Sequence, residues 1–122
     1  MRAVIQRVSE ASVMIDGKTI GEIGCGLVIF LGVFYDDDMQ DVKYLIQKTA
    51  GLRIFNDNNN NMNLSIQDIN ASILVISQFT LCANTQKGRR PSFLSAAKPR
   101  IAKTMYENYC TGLKQIGISI VE

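Results

Sequence analysis

The residues best suited to chemistry lie in one segment, SQFTLCANTQKGRRPSF, which runs from Ser77 to Phe93. Hydroxyl and amide side chains at Ser77, Gln78 and Thr80 come directly after an apolar run. The end of a buried strand is a rigid place from which to present polar groups. Three cations then follow within four residues, without a nearby acid: Lys87, Arg89 and Arg90. This order makes the segment the first candidate for a functional site, and its cations suit a partner that carries phosphate groups.

The chain contains no histidine, which limits the reactions open to it. Ser-His-Asp and Cys-His sites are excluded, and no side chain has an unperturbed pKa near 7. A catalytic base must come from a shifted carboxylate, Lys, Tyr or Cys, from the substrate, or from an oriented water. The three cysteines (Cys25, Cys82 and Cys110) form no CxxC pair, so neither a disulfide framework nor a zinc site is indicated. Cys82 stays open as a reactive thiol because it adjoins the Ser77–Leu81 stretch.

Charge is distributed unevenly along the chain, although the net charge is only +2. No acid occurs between Asp68 and Glu107, while six cations do: Lys87, Arg89, Arg90, Lys98, Arg100 and Lys103. A cationic region of this kind favours a partner that carries phosphates, such as nucleic acid. The alternative interpretation is a solvated basic face with no ligand.

Three other segments have the composition of ligand-binding loops but fit structural roles better. Gly24-Cys25-Gly26 matches neither phosphate-loop pattern and is interpreted as a turn before a buried strand. The carboxylates Asp36–Asp38 precede a helical pattern and are typical of a helix start. The run 56–61, NDNNNN, lacks the glycine and the terminal Glu of a calcium loop. We therefore expect no metal and no cofactor.

Hydrophobic periodicity predicts one α/β domain over residues 1–122, with six strands and two helices. Asp16-Gly17 is expected to be the turn of a β-hairpin. The six strands are predicted at Arg2–Val8, Ser12–Ile15, Lys18–Ile23, Leu27–Phe34, Leu52–Phe55 and Ser72–Gln78, and Ile118–Val121 opens a further strand at the end of the chain. The first helix follows Asp38 and ends at Gly51, and the second begins at Pro99 and ends before Gly117.

Neither a membrane span nor a signal peptide is predicted. No apolar stretch approaches the length of about 18 residues that a spanning helix needs. Arg7 and Glu10 interrupt the N-terminal region where a signal peptide requires an apolar run. We therefore expect a cytoplasmic protein without membrane contact.

Five blocks occur in register along the chain: MRAVIQRV at the start, GLRIF at Gly51–Phe55, MNLS at Met62–Ser65, SQFTL at Ser77–Leu81, and KGRRPSF at Lys87–Phe93. In these blocks the chain resembles the D-aminoacyl-tRNA deacylase family. The resemblance implies hydrolysis of the ester that joins a D-amino acid to the terminal adenosine of tRNA. It also implies a homodimer of compact domains, each with curved, barrel-like mixed β-sheets packed against two helices.

The same resemblance assigns roles to individual residues. Ser77, Gln78, Phe79 and Thr80 match the family's catalytic motif, and Arg7 matches an arginine that buttresses its chirality-sensing element. Lys87, Arg89 and Arg90 are expected to hold tRNA phosphates, and Phe93 either lies against the terminal adenine or packs in the core. A Thr80 nucleophile would need a base, which no histidine supplies. We therefore expect backbone N–H groups to form an oxyanion hole, with the ribose 2′-hydroxyl assisting water and Thr80 only positioning.

In one respect the sequence departs from the family. Members continue for roughly two dozen residues with an Asn-x-Gly-Pro-Val-Thr segment that enters the partner's pocket and rejects L-amino acids. Residues 1–122 contain no Gly-Pro pair. If Glu122 is the natural end, we expect weak or unselective activity and a less stable dimer, and a catalytically impaired tRNA-binding module becomes the alternative function.

Overall fold

A computed structural model describes all residues from Met1 to Glu122. The strands are β1 (Arg2–Val8), β2 (Ala11–Ile15), β3 (Lys18–Ile23), β4 (Gly26–Gly32), β5 (Phe55–Asn56), β6 (Met62–Leu64), β7 (Ser72–Ser77) and β8 (Ser119–Val121). The helices are α1 (Met39–Gly51) and α2 (Pro99–Gln115). A single 3-10 turn, Phe79–Cys82, follows β7 directly and is called the site turn below.

Four strands form a mixed sheet in the order β1-β4-β7-β8. β1 runs antiparallel to β4, whereas β4, β7 and β8 run parallel to one another. The central strands β4 and β7 are almost continuously apolar, as expected of parallel strands that are covered on both faces. The end of β7 pairs with the central strand β4, whereas β8 pairs only with the first half of β7, Ser72 to Leu74.

The two faces of this sheet are covered differently. The two helices cover one face, where the fully buried side chains include Ile29, Ile73, Tyr109 and Leu113. The buried hydroxyls of Thr49 in α1 and Tyr109 in α2 hydrogen-bond at 2.8 Å, so neither polar group lacks a partner. The β2–β3 hairpin covers only part of the other face, where the buried cluster is small: Ile23, Val28 and Leu74.

The predicted ends of the helices are confirmed. Asp38 is the N-cap of α1 and forms a capping box with Asp41, which satisfies free N–H groups of the first turn. Gly51 is the last residue of α1, and Pro99 occupies the first turn of α2. Gly117 follows α2 with φ of +94°, a conformation that glycine adopts without strain.

The predicted α/β class and the Asp16-Gly17 hairpin are confirmed, but several details of the sheet prediction are wrong. Asp16 and Gly17 both have positive φ, as this turn requires. The structure has eight strands, whereas six and a further one at the end of the chain were expected, and its sheets do not close into a barrel. The short strand β6 was not predicted, and β5 begins at Phe55, not at Leu52. Two- and three-residue strands are too short for periodicity to reveal.

No helix has both the length and the apolar composition needed to cross a membrane.

Candidate active site at the end of strand β7

The backbone after β7 turns sharply while still attached to the sheet. Ser77 pairs with Leu31, and the N–H of Gln78 donates to the Leu31 carbonyl at 2.8 Å. The Leu81 N–H then donates to the Gln78 carbonyl at 3.3 Å, which closes the site turn. The motif residues are therefore fixed by main-chain bonds to a central strand, as the strand-end argument predicted.

Glycine at position 32 allows the site turn to approach β4 closely. A Cβ atom added to Gly32 would lie 2.9 Å from the Leu81 Cβ, 3.1 Å from the Cys82 Sγ and 3.2 Å from the Gln78 carbonyl oxygen. These neighbours all belong to the turn or its first capping residue. Any side chain at Gly32 would therefore push the turn away from the sheet.

The polar groups of the motif face outward. Ser77 and Thr80 are exposed, and the Gln78 side-chain amide donates to the Thr80 hydroxyl. The N–H groups of Phe79 and Thr80 begin the turn, so neither has an acceptor within it. Two adjacent N–H groups at a strand end form a potential site for a developing oxyanion.

Cys82 is excluded as the reactive group. Its side chain is 1% exposed, and its thiol donates to the Val33 carbonyl at 3.4 Å. Burial raises the pKa of the Cys82 thiol. A protonated, enclosed thiol is a poor nucleophile, so Cys82 contributes packing beneath the turn.

An apolar groove of about 610 Å³ opens on the Phe79 side of the site turn and is called the apolar groove below. Phe79 is 60% exposed and meets Phe93 edge to face, with ring centroids 5.4 Å apart. α2 supplies the far wall, and the Tyr106 hydroxyl donates to the Val75 carbonyl at 2.9 Å. The groove brings together three of the candidate site residues, Ser77, Phe79 and Phe93, and adds Tyr106 and Lys103 from α2.

A second, polar groove of about 320 Å³ opens on the Cys82 side of the turn and is called the polar groove below. It shares no lining residue with the apolar groove. The Arg2 guanidinium donates to the Leu81 carbonyl at 2.6 Å and lies 5.2 Å from the centre of the Phe34 ring. The sequence interpretation missed Arg2, because only the pairing of Arg2 with Gly32 brings the start of β1 to this turn.

The predicted cations lie on a loop that is closed on itself. Asn84 and Ser92 exchange two main-chain hydrogen bonds, of 2.7 and 2.8 Å, and Gly88 has φ of +69° at the tip. The side chains on this basic loop are exposed and form no ion pair: Lys87, Arg89 and Arg90. The loop therefore presents three uncompensated charges next to the site turn.

Within one chain, Arg7 lies away from the site turn. It pairs with Leu27, at the opposite end of β4 from Leu31 and Ser77. Its guanidinium donates to the Ile54 carbonyl at 2.8 Å, and so it ties β1 to the segment before β5.

The acidic segments have structural partners. The Asp37 carboxylate accepts from the Met1 ammonium and from the Phe34 N–H, each at 2.6 Å. Hydrogen bonds from Asn61 and Asn59 hold the pKa of Asp57 below its usual value. No group of three or more Cys, Asp or Glu side chains is arranged to hold a metal ion.

Comparisons with known proteins give a consistent result. The family model described as D-Tyr-tRNA(Tyr) deacylase matches residues 4–122. The D-aminoacyl-tRNA deacylase of Thermosipho africanus is 50% identical over 120 residues, which are 98% of this chain and 80% of that protein. A solved structure titled c-Myc DNA Unwinding Element Binding Protein has a TM-score of 0.92 at 31% identity and covers 100% of this chain and 85% of its own. A structure titled as a probable eukaryotic D-amino acid tRNA deacylase has a TM-score of 0.80 at 15% identity, covering 93% and 66%, and supports the fold alone.

Proposed function

The chain belongs to the D-Tyr-tRNA(Tyr) deacylase family, and on this premise we propose that it hydrolyses the ester between a D-amino acid and tRNA at the site turn. The products are the free D-amino acid and uncharged tRNA. This activity removes D-amino acids before they reach the ribosome and belongs to the quality control of translation. The alternative of a tRNA-binding module without catalysis is not favoured, since the matched relatives are named as deacylases.

The observation that carries the assignment of the site is the pair of N–H groups at Phe79 and Thr80. They begin a turn that is fixed to the central strand β4 and held close to it by Gly32. Such preorganised donors stabilise the tetrahedral intermediate of ester hydrolysis without reorganising during the reaction. An aminoacyl ester is already an activated substrate, so this stabilisation is a large part of what hydrolysis requires.

The attacking group in this mechanism is water. The only thiol at the turn is buried, and no histidine exists to activate Thr80. The ribose 2′-hydroxyl next to the ester is the nearest substrate group able to accept the proton of water and pass it on. Thr80 then serves to position, through its hydrogen bond from Gln78.

The grooves and the loop give the tRNA end its orientation. Phe79 and Phe93 supply aromatic surface in the apolar groove for the terminal adenine, because base stacking on aromatic side chains suits single-stranded RNA. Lys87, Arg89 and Arg90 contact phosphates of the acceptor end. The proposal treats residues 1–122 as a single domain. It also places the protein in the cytoplasm, where aminoacyl-tRNA is used.

Dimerisation belongs to the same proposal and is supported by the sparsely covered face of the sheet. Apolar side chains there are largely exposed: Val4 46%, Met14 61%, Ile15 55% and Ile20 57%. A second copy would cover this surface, and Arg7 would support the chirality-sensing element across the pair. We expect Ile20→Glu to shift the mass in sedimentation equilibrium towards the monomer, and Lys18→Glu, in the same hairpin, to leave it unchanged.

The direct test measures release of radiolabelled tyrosine from D-Tyr-tRNA and from L-Tyr-tRNA by the same preparation. We expect turnover of the D ester above the spontaneous rate and slower cleavage of the L ester. Salt-dependent tRNA binding without turnover of the D ester would contradict the proposal and support the binding-module alternative. Triple replacement of Lys87, Arg89 and Arg90 by Gln should make the plot of log K for tRNA binding against log salt concentration less steep. The slope should change by about 0.7 for each phosphate that these side chains neutralise.

A further inference from the structure

The polar groove has no role in the reaction described so far, although it adjoins the site turn. Its lining carries hydroxyl and amide groups together with one guanidinium: Arg2, Asn84, Thr85, Gln86 and Ser95. The volume of about 320 Å³ lies at the lower end of the range for small-ligand sites. The composition is that of a site for a hydrated, hydrogen-bonding ligand with negative charge.

Arg2 has unused capacity to bind an anion. Its guanidinium has five N–H donors, and one hydrogen bond, to the Leu81 carbonyl, is present. No carboxylate forms a salt bridge with it, and both oxygens of nearby Asp37 are occupied by Met1 and Phe34. The remaining donors suit the bidentate geometry of a phosphate.

Along the chain, the groove residues from Cys82 to Gln86 lie between the reaction centre and the basic loop. Its Leu81–Arg2 contact is one residue from Thr80, and Gln86 is one residue from Lys87. A strand of RNA that leaves the site turn on the Cys82 side would pass the groove before it reaches the exposed cations. Arg2 covers one face of the Phe34 ring, so that face is not free for base stacking.

From this placement we propose that the polar groove binds the sugar-phosphate of the tRNA nucleotide that precedes the terminal adenosine, with Arg2 as the phosphate ligand. The inference rests on the proposed function and adds a binding subsite to it. Asn84, Thr85, Gln86 and Ser95 then supply hydrogen bonds to ribose hydroxyls and phosphate oxygens. The two grooves divide the substrate, with the terminal base in the apolar groove and the preceding backbone in the polar groove.

The test compares the binding of adenosine with that of the uncharged RNA trinucleotide 5′-CCA-3′ by isothermal titration calorimetry at low salt. Hydrogen bonds to charged groups strengthen binding substantially, so we expect the trinucleotide to bind the wild-type chain at least about tenfold more tightly than adenosine. In Arg2→Gln and in Gln86→Glu this gain should fall to about threefold or less, and adenosine affinity should stay unchanged. Lys18→Gln and Gln47→Glu are the matched controls, because each makes the same change of net charge at an exposed position away from the groove.

Gln86→Glu separates phosphate binding from support of the turn. The Gln86 side chain is exposed and makes no hydrogen bond, so this variant should fold normally and raise KM for D-Tyr-tRNA without lowering kcat. If Arg2 only holds the Leu81 carbonyl, Arg2→Gln lowers kcat and Gln86→Glu has no effect on KM or on the trinucleotide, which would overturn the proposal.

The same preparations distinguish this inference from the assignment of function. If the wild-type chain turns over D-Tyr-tRNA and both variants still bind the trinucleotide more tightly than adenosine by the wild-type factor, the proposal for the polar groove is rejected and the deacylase assignment stands. If both variants lose the tighter binding of the trinucleotide and the wild-type chain does not turn over D-Tyr-tRNA, the polar groove stands as an RNA site and the deacylase assignment is rejected.

Discussion

The apolar and polar grooves share one wall, the four-residue site turn, and differ in almost every other property. The first residue of the turn, Phe79, lines the apolar groove, and the last, Cys82, lines the polar groove. Aromatic and alanine side chains dominate the former, and hydroxyl, amide and guanidinium groups the latter. The end of a tRNA likewise has a flat base and a charged backbone, so the difference indicates how one short turn can orient such a substrate around a single ester.

The largest expected effect comes from displacing the turn that both grooves share. Gly32→Ala places a Cβ 2.9 Å from the Leu81 Cβ and forces the turn outward. Because the N–H groups of Phe79 and Thr80 would move with it, kcat for D-Tyr-tRNA should fall at least about 100-fold. Gly24→Ala is the control, since a Cβ there meets nothing within 4 Å. Equal kcat in the two variants would show that the position of the turn does not limit the reaction.

A smaller effect should come from the apolar groove alone. Phe93→Ala removes one of its three aromatic rings, and loss of base stacking of about 1–3 kcal/mol should raise KM roughly 5- to 150-fold. Leu94→Ala is the control, because Leu94 is adjacent and 91% exposed. Unchanged KM in steady-state kinetics of Phe93→Ala would place Phe93 outside the substrate site.

Thr80→Val tests whether the turn acts through its backbone or its hydroxyl. If Thr80 only positions, kcat should fall less than about tenfold, far below the cost of losing an oxyanion donor. A loss of several orders of magnitude in single-turnover hydrolysis would instead make the Thr80 hydroxyl the nucleophile.

The cysteines should make the smallest difference to activity. Iodoacetamide at pH 8 should modify exposed Cys25 and leave Cys82 and Cys110 unmodified, because burial raises both pKa values, that of Cys110 to about 12. Peptide mass spectrometry identifies the modified residue, and D-Tyr-tRNA hydrolysis should be retained. Inactivation that follows modification of Cys82 would restore the thiol mechanism.

The buried thiols also predict the direction of alkaline destabilisation. Their folded-state pKa values are raised, so the folded chain retains protons that the unfolded chain loses above about pH 8.5. Stability from this source is complete below that pH and should decline as pH rises towards about 12. Thermal unfolding from pH 8 to 11 checks this, and a melting temperature that rises over that range would contradict it.

Much of the candidate site could be predicted from local sequence. The apolar run of β7 followed by polar residues indicated a strand end, and Lys87, Arg89 and Arg90 indicated an exposed basic loop. Asp38 and Pro99 marked helix starts, because capping and the fixed φ of proline act within a few residues. These features depend on neighbours in the chain, so the sequence is sufficient to reveal them.

Arg2, Gly32 and the two grooves could not be predicted in this way. Arg2 and Leu81 are separated by 79 positions and meet only because β1 pairs with β4 and β7 lies on the other side of β4. Arg7 illustrates the converse, since its motif suggested the site while its register places it at the opposite end of the sheet. The sequence alone determined which residues are apolar, polar, capped or charged, because those properties are local. Only the tertiary structure decided which of them share a surface, because strand order and register bring distant segments together.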